Sequence, residues 1–505
     1  MTDPRTAYLE LLRRSREIAL LGSCSAVLSW DQQTFMPPAG TTFRGEQLAF
    51  LAGLSHQKAT DPLLGELLTI VESSELMADP SSVEAGNIRE LRHHYDRAVK
   101  LPQRLVEELA RVTTLAQQIW QQARATNDFR LFQPHLEQIL ALKREEADAI
   151  GFTDQRYDAL LDEYEPGLST KTLQILFADL TAQLVPLIQR IQDCGRQPRR
   201  EIFQREFPAD RQRWFAESAA AAIGFDFQAG RLDTSTHPFC SGFGPGDCRI
   251  TTRYNPHCFS EAFFSVLHEA GHGMYEQGLS AEQFGTPSGS YCSLGIHESQ
   301  SRLWENQVGR SEPFWEHFYP RLQQAFPTAL RDVSRQEFYF AINEIRPSYI
   351  RVEADEATYN LHIVLRFEVE LDLLSGNLAV TDLPAAWNDR FRTMFGMMPT
   401  SDREGCLQDV HWSFGGIGYF PTYTLGNLYA AQFMEAAHQA LPELNEEFRR
   451  GIFSSLKFWL SEKIYRHGRR FRAATLCRDA THQELTAKPF LKYLHGKAAS
   501  VYNVC

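Results

Sequence analysis

Two histidines four residues apart, His268 and His272, with Glu269 beside the first, are the side chains whose types and spacing can do chemistry. On an α-helix, residues i and i+4 share a face, so both imidazoles can reach one metal ion. A glutamate one step from the first ligand is placed to work on a water that such an ion activates. The flanking residues predict a helix over 263–276, because Phe263, Leu267, Ala270 and Met274 form one apolar stripe at helical spacing. Ser260 is a candidate N-cap and Gly278 a candidate stop. At ~100° per residue the histidines fall roughly 150° from the centre of the stripe, away from a packed core. Metal-assisted hydrolysis is the starting expectation. The plain alternative is two histidines on a polar flank beside a surface glutamate.

Catalytic zinc takes three protein ligands and leaves a fourth position open. A third histidine six residues after His272 is ruled out, because that position is Gly278. The segment 293–306 (SLGIHESQSRLWEN) reads as a second helix and carries His297, Glu298 and Glu305. Glu298, 26 residues after His272, has the spacing of zincins that use a glutamate as third ligand. His297 competes; the two sit on different faces, so only one can point at the ion. Arg302, four residues beyond Glu298, can pair with Glu298 or Glu305 and fix an orientation, or form a surface ion pair.

Further stretches accompany these. They are HPF at His237–Phe239, DCRIT at Asp247–Thr251, HESQS at His297–Ser301, IRVEAD at Ile350–Asp355 and GCLQDVHW at Gly405–Trp412. WDQQTFMPPAG at Trp30–Gly40 and YEPG at Tyr164–Gly167 precede them. With HEAGH at 268–272, and in this order, they make the chain resemble the carboxypeptidase Taq family of metallocarboxypeptidases over most of its length. The resemblance implies a mostly α fold, with a deep substrate groove and a small β-sheet beside the histidine helix, similar to angiotensin-converting enzyme and neurolysin. It implies release of single C-terminal residues from peptides with broad specificity. It also implies a divalent metal (zinc, with cobalt as the alternative) and a homodimer, and it favours Glu298 over His297.

Under that reading Glu269 takes a proton from water and hands it to the leaving amine. The developing oxyanion needs donors besides the metal. The stretch Gln408–Tyr423 (QDVHWSFGGIGYFPTY) offers His411, Tyr419 and Tyr423, the tyrosines lying four apart across Pro421 after Gly415-Gly416. Either tyrosine can be the donor, or a packed aromatic in a chain with 17 tyrosines. A free C-terminal carboxylate suits arginine, whose planar fork supplies two hydrogen bonds. The resemblance points to Arg351, with Arg249 as the other candidate. Arg249–Tyr254 (RITTRY) alternates like a short edge strand, able to pair with a substrate backbone; Asp247 and Arg249 then act as scaffold. His237, held extended by Pro238, either lines the substrate cleft or is structural.

The chain has 505 residues, and because the motifs run through it we expect one catalytic domain over 1–505. Within it, 1–235 form a helical wall or lid, 236–430 carry the motifs and 431–505 are C-terminal helices. Amphipathic helices are predicted at 7–28, 44–54, 105–125, 131–150, 171–191 and 430–441. Breaks fall at 36–40, 165–167 and the Gly/Pro-rich 238–246, read as a loop beside the cleft. Net charge is −12, and RQPRR (Arg196–Arg200) and RHGRRFR (Arg466–Arg472) read as solvated faces, which argues against a nucleic-acid partner. Nine cysteines without a C-x-x-C pair suggest a reduced, cytoplasmic protein, with Cys248 and Cys292 as small packed residues. The apolar run Ile18–Leu28 after Arg13–Arg16 has acidic neighbours and reads as an ordinary helix rather than a signal peptide. No run reaches the ~18–20 apolar residues of a membrane span, so no membrane partner is expected. The rival readings are a zinc endopeptidase or dipeptidyl carboxypeptidase of the same groove type, and a catalytically silent peptide-binding protein. An aminopeptidase is weaker, since no G-x-M-E-N-type stretch precedes HEAGH.

Overall fold

The computed structural model describes residues 3–504. The chain is built mainly from helices with one small sheet, the mostly α architecture that the sequence indicates. It divides into two compact units. The first takes residues up to Ala98, Pro198–Ile342 and Tyr429–Leu485; the second takes Val99–Gln197, Asn343–Leu428 and the chain from Thr486 on.

Capping sets the helix limits and extends several beyond their apolar pattern. Asp3 accepts from the Thr6 amide and Pro4 occupies the first helical position, so the helix expected over 7–28 runs Pro4–Thr34. The run Ile18–Leu28 lies inside it. Asp128 and Ser169 cap Phe129–Ile150 and Thr170–Asp193 in the same way. The helix expected at 430–441 starts earlier and runs Pro421–Ala440.

One correction concerns Thr170–Asp193. By length and composition this helix is apolar enough to cross a membrane, where no such run was expected. Its apolar residues nevertheless form a stripe. Leu173, Phe177, Leu180, Leu184 and Ile191 are buried while most positions between them are exposed, the pattern of a helix lying on a core.

The first unit packs around aromatic rings. Phe259 and Phe263 stack at 5.2 Å, and Phe215, Trp315 and Phe326 close on them at 5.3–5.6 Å. Each such pair adds about 0.5–1.5 kcal/mol beyond the area it buries. In the second unit, Phe391 stacks on Phe395 at 4.2 Å, and Phe367 takes Tyr157 and Phe177 edge-on at 5.5 and 5.2 Å.

The sheet belongs to the first unit. Its strands are β1 (Gly230–Thr234), β2 (Cys240–Gly244) and β3 (Asp247–Thr252), in the order β1-β3-β2, with β1 parallel and β2 antiparallel to β3. Two expectations fail here. The stretch 238–246 is a hairpin arm, not a loop. Gly244 (φ +139°) and Gly246 (φ +81°) form its turn, and a Cβ on Gly242 would lie 2.7 Å from Glu276 Oε2. The RITTRY strand is central rather than an edge and ends at Thr252, so both its sides are paired and neither is open to a peptide.

The RHGRRFR cluster is not a solvated face either. Arg469 meets His94 and the Tyr291 carbonyl, Arg470 donates to the Ser81 carbonyl at 2.6 Å, and Arg472 pairs with buried Glu90. The eight described cysteines are free thiols; Cys248 and Cys292 are buried, and the Cys292 thiol donates to the Phe471 carbonyl.

Candidate metal centre

The HEAGH helix runs Phe259–Gly278 and so ends at the expected glycine. Its N-cap is Cys258, not Ser260, which lies in the first turn; Asn255 and Cys258 pair as a bridge, and the turn between them places Phe259 in the core. The stripe Phe263, Leu267, Ala270 and Met274 is buried. Gly271 is required by the close approach of the next helix. A Cβ there would sit 2.5 Å from the Gln300 carbonyl and 2.7 Å from Ser301 Cα, so only glycine lets the next helix approach this closely.

That next helix is Leu294–Arg302, capped by Ser293, and it continues as a π-helical turn over Leu303–Val308 instead of remaining α-helical to 306. Such wide turns interrupt helices mostly at functional sites. Glu298 and Glu305 both face the HEAGH helix. Donor atoms of His268, His272 and Glu298 lie within 4.8 Å of one another. Glu298 Oε2 is 3.6 Å from His268 Nε2 and 3.3 Å from His272 Nε2. Glu305 Oε2 takes the opposite nitrogen of His268, Nδ1, at 2.9 Å and thereby orients Nε2 toward Glu298. Arg302 ties the two glutamates together, with Nε on Glu298 Oε1 at 2.7 Å and Nη1 on Glu305 Oε2 at 3.1 Å. It is therefore a half-buried brace between the two glutamates, not an exposed surface pair. His297 is outside the cluster. It stacks on His272 at 4.5 Å and bonds Glu276 Oε1 at 2.8 Å.

Metal ligands must be deprotonated, and for His272 and Glu298 the electrostatics favour that. Burial, with His297 adding to it, brings His272 down to about 3, so its imidazole is neutral. Burial raises Glu298, but Arg302 and the two imidazoles outweigh it and hold the carboxyl well below its usual range. Burial lowers His268, but the carboxylates of Glu298 and Glu305 outweigh it and raise its pKa overall. The donor set, two imidazoles and one carboxylate, suits a divalent ion of the zinc type. Glu269 is buried beside it. Burial, then the charges of Glu298 and Glu305, raise its carboxyl to about 7, with His268 opposing.

Arg351, His411, Tyr419 and Tyr423 fall in the second unit. Arg351 is buried, with Nε and Nη2 on Asp409 Oδ1 at 2.9 and 2.7 Å and Nη1 on the Tyr359 hydroxyl at 2.8 Å. Its backbone N–H donates to Gln408 Oε1. Arg366 Nε takes the second oxygen of Asp409 at 2.7 Å. The two guanidiniums overcome the effect of burial and hold the Asp409 carboxyl far below the usual range. His411 is 3.1 Å from the Tyr423 hydroxyl through Nε2, and its ring lies 5.3 Å from that of Tyr419. Burial and then Arg351 lower His411 to about 3, leaving it neutral.

Back in the first unit, the Arg249 fork is closed on Asp247 at 2.9 and 2.8 Å, and its plane lies over Trp30 at 4.3 Å and Phe243 at 4.9 Å. That assigns a contact to the tryptophan of the WDQQ stretch. His237 is exposed, and its carbonyl accepts from Ser235 Oγ. Sequence reasoning passed over Asp409 and Arg366. Asp409 stood inside the QDVHW stretch, and Arg366 is a charge in the otherwise apolar helix Thr358–Ser375.

Residues 10–498 match the model of the "Carboxypeptidase Taq (M32) metallopeptidase" family. Thermostable carboxypeptidase 1 of Thermus thermophilus is 47% identical over 99% of both chains, and carboxypeptidase 1 of Bacillus subtilis is 37% identical over 98% of both. The crystal structure of the M32 carboxypeptidase from Deinococcus radiodurans R1 superposes with a TM-score of 0.95 at 42% identity, covering 99% of this chain and 100% of that one. The chain belongs to the carboxypeptidase Taq (M32) metallopeptidase family.

Proposed function

We propose that this metal-dependent carboxypeptidase holds its ion between His268, His272 and Glu298 and releases single residues, with broad specificity, from peptide C-termini. The observation that carries this is the convergence of those three donors within 4.8 Å beside buried Glu269. A divalent ion there, zinc or alternatively cobalt, supplies Lewis acidity that acidifies water and polarises a carbonyl. Glu269 then accepts a proton at its carboxylate and passes it to the leaving amine; a carboxyl raised toward 7 is suited to both directions of transfer. His411 and Tyr423, in contact through Nε2 and the hydroxyl, provide a proton donor for the developing oxyanion, with Tyr419 beside them as the second candidate.

Arg351 is the residue we assign to the substrate carboxylate. Asp409 fixes its side-on edge, and one N–H on each of Nη1 and Nη2 is left for a ligand. Arg249, paired with Asp247 through two hydrogen bonds and stacked on Trp30, serves as scaffold in this reading, as do Asp247 and His237. We further propose one catalytic domain, a homodimer and a cytoplasmic location.

Mass spectrometry of a peptide and its C-terminal amide tests the reading. The free acid should shorten one residue at a time from its C-terminus while the amide stays intact. Internal cleavage of the amide, or loss of dipeptides, would favour the endopeptidase or dipeptidyl carboxypeptidase alternative.

A further inference from the structure

The helix Thr358–Ser375 carries two charged side chains one turn apart, Arg366 and Glu370, both fully buried. Each grips a different part of the segment that bears His411 and Tyr419. Arg366 holds Asp409 at its start. The Glu370 carboxylate accepts three hydrogen bonds: from Trp412 Nε1 at 2.9 Å, from the Gly418 amide at 3.1 Å and from the Tyr157 hydroxyl at 2.7 Å. Trp412 directly follows His411, and Gly418 directly precedes Tyr419. A single carboxylate therefore ties together the two ends of a short turn whose outer residues are the histidine and the tyrosine.

Within the turn, Gly416 N–H donates to the His411 carbonyl at 2.9 Å and Gly415 N–H to the Trp412 carbonyl at 3.1 Å, and Trp412 and Ile417 are buried; the Glu370 carboxylate adds the link between its two ends. The turn consists of the 3₁₀ stretch His411–Phe414 followed by Gly415 (φ +79°), Gly416 and Gly418 (φ +90°), residues with wide conformational freedom when unbound. Gly418 packs so closely on Leu160 that a Cβ would lie 3.0 Å from that backbone, and Tyr157 belongs to the same short helix, Arg156–Leu161. A buried carboxylate that keeps three donors costs more to remove than any one of those bonds contributes.

We propose that Glu370 is a positioning residue for the reaction, fixing the angle at which His411 and Tyr419 are presented without itself touching substrate. This rests on the roles assigned above to His411 and Tyr419. A purely structural Glu370 would alter stability alone. A positioning Glu370 alters turnover through His411.

The test is steady-state kinetics of metal-loaded Glu370→Gln, His411→Ala and the double variant. Glutamine keeps the shape but cannot accept all three bonds. We expect kcat of Glu370→Gln to fall about tenfold with KM within about twofold and metal content unchanged. In the double variant the loss should be well below the product of the two single factors. Tyr157→Phe, which removes one donor and leaves the carboxylate in place, should lower kcat by about two- to fivefold, and it serves if Glu370→Gln does not fold. Wild-type kcat in Glu370→Gln or Tyr157→Phe, or fully multiplicative losses, would overturn the proposal. Wild-type kcat in His411→Ala would show instead that the role given to His411 is wrong, and the proposal would fall with it.

Discussion

Around Glu298 the first unit gathers three carboxylates, buried Glu269 and Glu298 and half-buried Glu305, against Arg302 and the more distant Arg310. Around Asp409 the second unit does the reverse, closing two guanidiniums, Arg351 and Arg366, on one carboxylate. The first cluster has a surplus of acceptors, which suits the cation proposed for it. The second has a surplus of donors, which suits the substrate carboxylate proposed for it. Burial makes both imbalances costly, since unpaired charge in a protein interior is penalised far more than at a surface. A hydrolase acting on peptide C-termini needs both kinds of site, and under the proposed reading this chain carries them on scaffolds of different construction. The cation cluster stands on two closely packed helices. The anion cluster hangs on loop residues held from behind by one helix.

The comparison breaks most sharply at Glu269. If the first cluster serves catalysis and not merely structure, Glu269→Gln should lower kcat by about 10²–10⁴-fold while the protein binds as much metal as before. Equal turnover would reduce the cluster to a structural site.

The second cluster has its own test in stability. Asp409→Asn leaves two buried guanidiniums facing a neutral amide, and the expected cost is about 3–5 kcal/mol in urea unfolding. Because the folded-state carboxyl is depressed, its contribution is present above the ordinary carboxylate range of ~3.9 and lost as pH falls below it. Wild-type stability should therefore drop in acid more steeply than that of Asp409→Asn. Parallel acid limbs would mean that the two arginines do not depend on Asp409.

A smaller effect sharpens the first cluster. Glu305 touches His268 through the nitrogen opposite the ligand position, so Glu305→Gln should weaken metal binding by about 10–100-fold and leave kcat at saturating metal nearly unchanged. Unaltered affinity would make the Glu305–His268 contact incidental.

How much of this could be read without coordinates differs between the two clusters for the same physical reason. The histidines and Glu269 are local: a helix period of 3.6 fixes which side chains share a face, and the apolar stripe identifies the helix. Glu298 was reachable because it lies on the next α-helix after His272, though spacing alone left His297 as a competitor and the family resemblance favoured Glu298. Gly271 and the π-turn were not reachable, since one is set by the approach of a second backbone and the other by a shift in hydrogen-bond register. In the second unit the partners Arg351, Arg366 and Asp409 lie up to 58 residues apart and meet only in the fold. The sheet was misjudged for a similar reason. Alternation marks a strand, but whether it is an edge depends on partners elsewhere, and three glycines concealed β2 as a loop.

The central claim is that one divalent ion is held jointly by His268, His272 and Glu298. Metal analysis of purified protein after dialysis against limiting zinc tests it directly. One ion per chain is predicted for the wild type and for Glu269→Gln, and far less than one for Glu298→Ala. A full complement of metal in Glu298→Ala would contradict the assignment.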